Sequence, residues 1–273
     1  MIKWLRFLSL ANAIGIFIIL EFVGRWPQQW LSALTAALLF AAISGMLVMH
    51  SGLVLSNNTA SRLSAQSWWH LLPTPILLSF ISVGVLLFLD TETGQQLLIV
   101  LAAFLCGLFW ENVRLHLQAS ETYPRHYLES ASLIIHVAVV WLAAVGFYRL
   151  LLDPSILPPN LATKAYTVTT VLILLMVFLL DYRAIWLSRY ARENVWLLLS
   201  VETLLVSELF WVLNFLPFSP DVKALLVAVT YYSVAALGRA NFDGTLRPLL
   251  VRRYAYFVAF VLAAVLLTSR WIV

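Results

Sequence analysis

Charged residues are scarce in this sequence. They make up 11% of 273 residues, while 62% are hydrophobic. A soluble domain is about 25% charged and about 45–50% apolar. So few charges cannot cover the surface of a 30.8 kDa globule, and a mean hydropathy of +0.92 agrees. Soluble enzymes, nucleic-acid-binding domains, disordered chains and disulfide scaffolds are thereby excluded. A polytopic membrane protein is what such a composition leaves.

Other absences narrow the chemistry. The lone cysteine, Cys106, can form neither an internal disulfide nor a cysteine-based metal cluster, and its apolar surroundings make it a small packing residue. Lys3, Lys164 and Lys223 are the only lysines and all sit at the ends of apolar runs, so no mid-span amine exists for a retinal Schiff base. No glycine-rich phosphate loop occurs, which argues against an ATP-driven pump acting alone. His50, His70, His116, His126 and His136 never recur at i,i+3 or i,i+4, and no H-E-x-x-H is present, so a zinc site on one helix is not indicated. A haem held by His50 and His136 has no more support than any other pair of these histidines. No cofactor and no metal is expected.

Long apolar runs are what the chain does have. A helix needs about 20 predominantly apolar residues to cross the hydrocarbon core. Nine segments approach this, at 4–23, 30–50, 71–89, 96–115, 130–150, 165–183, 195–216, 222–238 and 254–271. No charge falls between Arg25 and Arg62 or between Arg62 and Asp90. The runs are too long and too evenly apolar for barrel strands, and backbone groups in lipid must be satisfied internally. The expected fold is an all-α transmembrane bundle of nine helices, with eight as the alternative, forming one integral membrane domain over 1–273 without a soluble domain. The first and eighth segments are the weakest of the nine. No internal repeat or low-complexity tract interrupts them.

Loop charge sets the orientation. With nine spans, Lys3, Arg6, Arg62, Arg114, Arg125, Arg183, Arg189, Arg192, Arg239, Arg247, Arg252 and Arg253 fall on one side, and Arg25, Arg149, Lys164, Lys223 and Arg270 on the other, a split of 12 against 5. The positive-inside rule then places the N-terminus in the cytoplasm and the C-terminus outside. The basic N-terminal run resembles a signal peptide, but Glu21-Phe22-Val23-Gly24-Arg25 offers no cleavage site, so the run reads as an uncleaved first helix. Asn57-Asn58-Thr59 forms a sequon on the expected cytoplasmic side and is discounted. Nine of the 11 tryptophans lie near span ends, where amphipathic rings prefer the headgroups; Trp141 and Trp211 lie deep. Lipid headgroups are the expected partner. Arg239, Arg247, Arg252 and Arg253 should meet anionic ones at about 1 kcal/mol each. Nucleic acid is not a partner, and a homo- or hetero-oligomer is left open.

Ionisable groups inside a membrane are expensive and point to function. The seventh segment is the most unusual. Ser200, Thr203, Ser207, Trp211 and Asn214 fall within about 80° of one another at about 100° per residue, forming a polar stripe. Glu208 flanks the stripe near mid-membrane, and Glu202 points to the other side. The stripe reads either as a pathway for solute or protons or as an interhelical seam. Glu208 is expected to face the interior, protonated or held by a donor such as Asn12, Tyr231 or Tyr232; His136 is a further candidate partner. Asp181 and Arg183 are expected at the cytoplasmic end of the sixth segment. A second titratable cluster, Glu111, Arg114, His116, His126 and Glu129, surrounds the cytoplasmic end of the fourth, with Glu111 and Arg114 spaced for an ion pair.

The stretch from Glu208 to Pro217, ending aromatic–Leu–Pro, followed by Tyr231-Tyr232, resembles part of an uncharacterised family of bacterial multipass membrane proteins. The match covers a minor part of the chain. It implies a bacterial inner-membrane protein and assigns no catalytic residue. The leading functional reading is non-enzymatic: a small-solute or proton-linked transporter built on Glu208 and the stripe. The alternatives are a structural or accessory subunit of a membrane complex and, third, a membrane-embedded enzyme acting on lipid through the cluster from Glu111 to Glu129. Reporter fusions after Arg62, Arg189 and Arg247 should report cytoplasm, and fusions after Pro158 and Pro220 the exterior; both termini on one side would refute nine spans.

Overall fold

The computed structural model of the chain describes residues 2–55, 68–118, 125–154, 159–188 and 195–268. Every regular element among them is helical. The long helices are α1 (Ile2–Arg25), α2 (Trp30–Leu55), α3 (Pro73–Leu86), α4 (Glu92–Gln118), α5 (Arg125–Leu152), α6 (Ala165–Ser188), α7 (Val195–Leu213), α8 (Pro220–Phe242) and α9 (Pro248–Thr268). Among the described residues seven helices, α2 and α4 through α9, are long and apolar enough to cross a membrane. The chain is thus an all-helical, multipass membrane protein by length and composition.

Of the two segments expected to be weakest, the first, α1, is not among these seven. α8 runs a full 23 residues. The third segment is the short one: α3 has 14 residues, about 21 Å at about 1.5 Å per residue. Proline explains its start, because Pro73 and Pro75 occupy the first turn, where no amide donor is needed. The 3₁₀ turn Trp68–Leu71 precedes α3, and backbone bonds from Phe88 to Val85 and from Leu89 to Leu86 prolong it.

Two compact units divide the chain, residues 1–135 and 136–273. In the first, α1 packs on α2 and α4, and α3 packs on α2 and α4, which closes a four-helix ring. Apolar surface alone does not drive helices together in lipid, so close packing of small residues must. Gly107 on α4 shows this: a Cβ there would lie 2.9 Å from the Cβ of Ala13 on α1. Gly15 likewise receives the Phe40 ring of α2, and Gly45 the side chains of Leu72 and Trp110.

In the second unit α6 packs on α7, α7 on α8 and α8 on α9. Tyr148 of α5 stacks on Phe210 of α7 at 4.5 Å and donates to the Phe210 carbonyl at 2.9 Å. α8 starts at Pro220 behind an extended Ser219. It stops at Gly244, whose φ of 67° is the left-handed conformation that favours glycine. That stop holds Arg239 in the last turn of α8. α9 buries only Val265 among its described side chains.

Replacing Gly107 by alanine should push α1 and α4 apart. Overpacking of this kind costs about 1–3 kcal/mol, so G107A should lower the Tm in detergent, whereas alanine at Gly84, which has open space around it, should not.

A buried ionic cluster as the candidate functional site

Two helix boundaries decide where the charges lie. α6 runs to Ser188, five residues beyond its expected end. Asp181 and Arg183 are therefore inside the helix rather than at its tip, and both are buried, at 3% and 0% exposure. α5 begins at Arg125, so fully buried His136 lies about three turns in. Glu202, two turns into α7, is 7% exposed.

These residues converge. Asp181, Glu202, Gly238 and Arg239 line one small cavity of about 20 Å³, closed on its apolar side by Ile185 and Phe242. Tyr231 donates its hydroxyl to Asp181 Oδ1 at 3.0 Å. Arg183 Nη1 lies 2.8 Å from His136 Nε2. A guanidinium only donates, so His136 accepts at Nε2 and carries its proton on Nδ1. Arg239 is within electrostatic reach of Asp181, Glu202, Arg183 and His136. Two carboxylates and two guanidiniums thus share one interior, and their formal charges cancel when all are ionised. Such mutual compensation is what makes buried charge tolerable.

The cluster is not saturated. Glu202 Oε1 and Asp181 Oδ2 are buried and meet no hydrogen-bond donor among the described residues. A water needs roughly 10–15 Å³ of this kind of volume, so the cavity has room for one water and for no larger solute. Glycine makes the approach possible. A Cβ at Gly238 would lie 1.8 Å from Glu202 Oε1, so α8 presents bare backbone where the carboxylate rests.

The residues singled out on α7 divide differently from expectation. Its buried face runs through Leu199, Glu202, Thr203, Val206, Ser207, Phe210 and Leu213. Glu208 lies about 170° from the middle of that face at about 100° per residue and is exposed, so the expectation that it faces the interior is corrected, and Glu202 takes the inward position. The stripe is split along its length. Thr203 and Ser207 are buried, Asn214 is half-buried, and Ser200 and Trp211 are exposed. Three of its polar groups serve their own helix, with Ser200 donating to Trp196 O, Ser207 to Thr203 O and Asn214 to Phe210 O, while Thr203 Oγ1 is buried and meets no hydrogen-bond partner among the described residues. Groups bonded to the preceding turn in this way do not line a path.

Of the proposed partners, Tyr231 bonds Asp181 rather than Glu208. Tyr232 faces Tyr254 and Phe257 of α9, with ring centroids 5.9 and 6.3 Å apart. Asn12 is buried on α1 within the first unit. Arg239 is half-buried and lines the cavity, while Arg247, Arg252 and Arg253 are exposed.

The cytoplasmic cluster of the fourth segment is met in part. Arg114 pairs with Glu111, and Ser9 of α1 donates to Glu111 Oε2 at 2.8 Å. These three edge an open groove of about 630 Å³, whose wall includes Ala13, Phe104 and Gly107. His116 and Glu129 are half-buried and do not line it. The side chain of His126 lies outside the described residues. Among the described residues no three metal-ligating side chains gather.

Arg239 and the buried setting of Asp181 and Arg183 escaped the sequence reading because they sit near expected span ends. One signal could have found them: Asp181 two turns before the end of α6, Glu202 two turns after the start of α7 and Arg239 in the last turn of α8 share one depth in an up-and-down bundle.

Comparison with known families, with proteins of assigned function and with solved structures gives no match to this chain.

Among the described residues Tyr231 is the hydrogen-bond donor to Asp181, so Tyr231→Phe should destabilise the protein. Loss of a bond to a charged group costs about 1.5–3 kcal/mol. Thermal unfolding should show a clear drop for Tyr231→Phe and little change for Tyr232→Phe; equal effects would contradict the assignment.

Proposed function

We propose that this protein moves protons across a membrane, alone or linked to a small solute, and that Asp181 and Glu202 are the exchanging pair. The observation that carries the reading is the pair of buried carboxylates, Asp181 and Glu202, that line a cavity the size of one water together with half-buried Arg239, with buried Arg183 within one turn of Asp181 on the same helix. Ionisable groups at membrane depth mark ion and proton pathways, and two carboxylates beside one another can share a proton. The cavity is too small for a solute, which favours the proton over the solute as the species handled there. Arg239, in the last turn of α8, lines the cavity and balances the carboxylate charge there. Tyr231 holds Asp181, and Arg183 holds His136 as a neutral acceptor.

In this reading the protein has nine spans with a cytoplasmic N-terminus and resides in a bacterial inner membrane. The 12 to 5 split of basic residues and the continuation of α3 by turns on both sides support the count.

Proteoliposomes with an internal pH dye test the proposal. The wild type should carry proton flux under an imposed pH gradient. Compared at equal amounts of folded, reconstituted protein, Glu202→Gln and Asp181→Asn should lose most of that flux. Gly238→Ala removes no titratable group, but its Cβ would displace the Glu202 carboxylate, so it too should reduce flux. Wild-type flux in all three variants, or none in the wild type, would refute the reading.

A further inference from the structure

Two carboxylate oxygens in the second unit ask for the same donor. Asp181 Oδ2 and Glu202 Oε1 are buried and meet no hydrogen-bond partner among the described residues. Their side chains line one cavity of about 20 Å³, the first from α6 and the second from α7. Both residues are more than nine-tenths buried, at 3% and 7% exposure. Acceptors left without a donor at such depth are costly, charged ones most of all. Each oxygen is also set in place by the chain. Tyr231 donates to Asp181 Oδ1 at 3.0 Å and leaves Oδ2 over, and the bare backbone at Gly238 admits Glu202 Oε1.

The wall selects the occupant. Arg239 lines the same cavity, and its positive charge opposes a metal cation. The two carboxylates oppose an anion. The volume exceeds the roughly 10–15 Å³ that one water needs and admits nothing larger. A neutral molecule with two hydrogens to give satisfies both oxygens at once. We infer that one water is bound between Asp181 and Glu202 and donates one hydrogen to Asp181 Oδ2 and the other to Glu202 Oε1. Buried water commonly serves polar groups that the chain itself leaves unpaired. On the proton reading above, on which this step rests, the water is also the link between the two acids. With Asp181 protonated at Oδ2, that proton passes to the water oxygen as one water hydrogen passes to Glu202 Oε1. One proton moves and the water is re-formed.

The test is a high-resolution crystal structure of the protein in lipid, from crystals grown in sodium chloride and in choline gluconate. One density peak at hydrogen-bond distance from both oxygens should appear in both. A peak seen only with sodium chloride, no peak, or the two carboxyl groups bonded directly to each other would overturn the inference. Ala235, on the α8 wall of the cavity, supplies a second measurement. Ala235→Val and Ala235→Thr introduce the same shape, but only threonine brings a hydroxyl to stand in for the displaced water. Ala235→Thr should melt about 2–4 °C above Ala235→Val; the reverse order, or no difference, would mark an apolar packing site and overturn the inference. At equal amounts of folded protein Ala235→Val, which keeps both acids, should lose most proton flux, and wild-type flux there would refute the relay. Flux without the peak refutes the water and leaves the proton reading standing; the peak without flux in the wild type does the opposite.

Discussion

Everything in the second unit follows from the difficulty of holding charge away from water. Transfer of one unpaired ion into an apolar interior costs several kcal/mol even after relaxation. Asp181, Arg183 and Glu202 are all deeply buried, so none of them is tolerable alone. The remaining features answer that need. Arg239 is kept on the last turn of α8 by the glycine stop that follows, Tyr231 reaches Asp181 from mid-helix, and His136 accepts from Arg183. Helices α5, α6, α7 and α8 each supply at least one member, so the cluster fixes their rotation about their own axes as firmly as apolar packing does.

The first unit solves a different problem. Its helices hold together through steric fit, with Gly15, Gly45 and Gly107 each receiving a neighbour where a larger residue would collide. Its interhelical ionic contacts among the described residues are open ones: Ser9 with Glu111 and Arg114 lies beside a groove, and exposed Gln96 of α4 donates to Glu21 of α1 at 2.9 Å. The contrast sets buried charge in the second unit against steric packing in the first.

The sequence made the helical membrane architecture legible, because hydropathy over 20 residues averages out local detail. Seven helices fall where the runs predict them and are long enough to cross. Side-chain direction was far less legible. The stripe on α7 was drawn by grouping polar residues, yet the helix turned its Leu199–Phe210 edge inward and carried Glu202 with it. Polarity alone cannot rank two glutamates six residues apart; a partner on a neighbouring helix decides, and that partner, Arg239, looked like a loop residue. A shift of five residues at the end of α6 had the same effect on Asp181 and Arg183: hydropathy falls off before the helix does, so buried charges near a span end imitate a boundary.

The contact between Gly238 and Glu202 constrains how the two positions can vary. The carboxylate rests where a Cβ would stand, 1.8 Å from it, so any side chain at 238 excludes glutamate at 202 in its present rotamer. Aspartate at 202 would withdraw the carboxylate by one methylene and release that restriction. The two positions are therefore coupled: a side chain at 238 forces Glu202 into another rotamer, whereas aspartate at 202 leaves room for it.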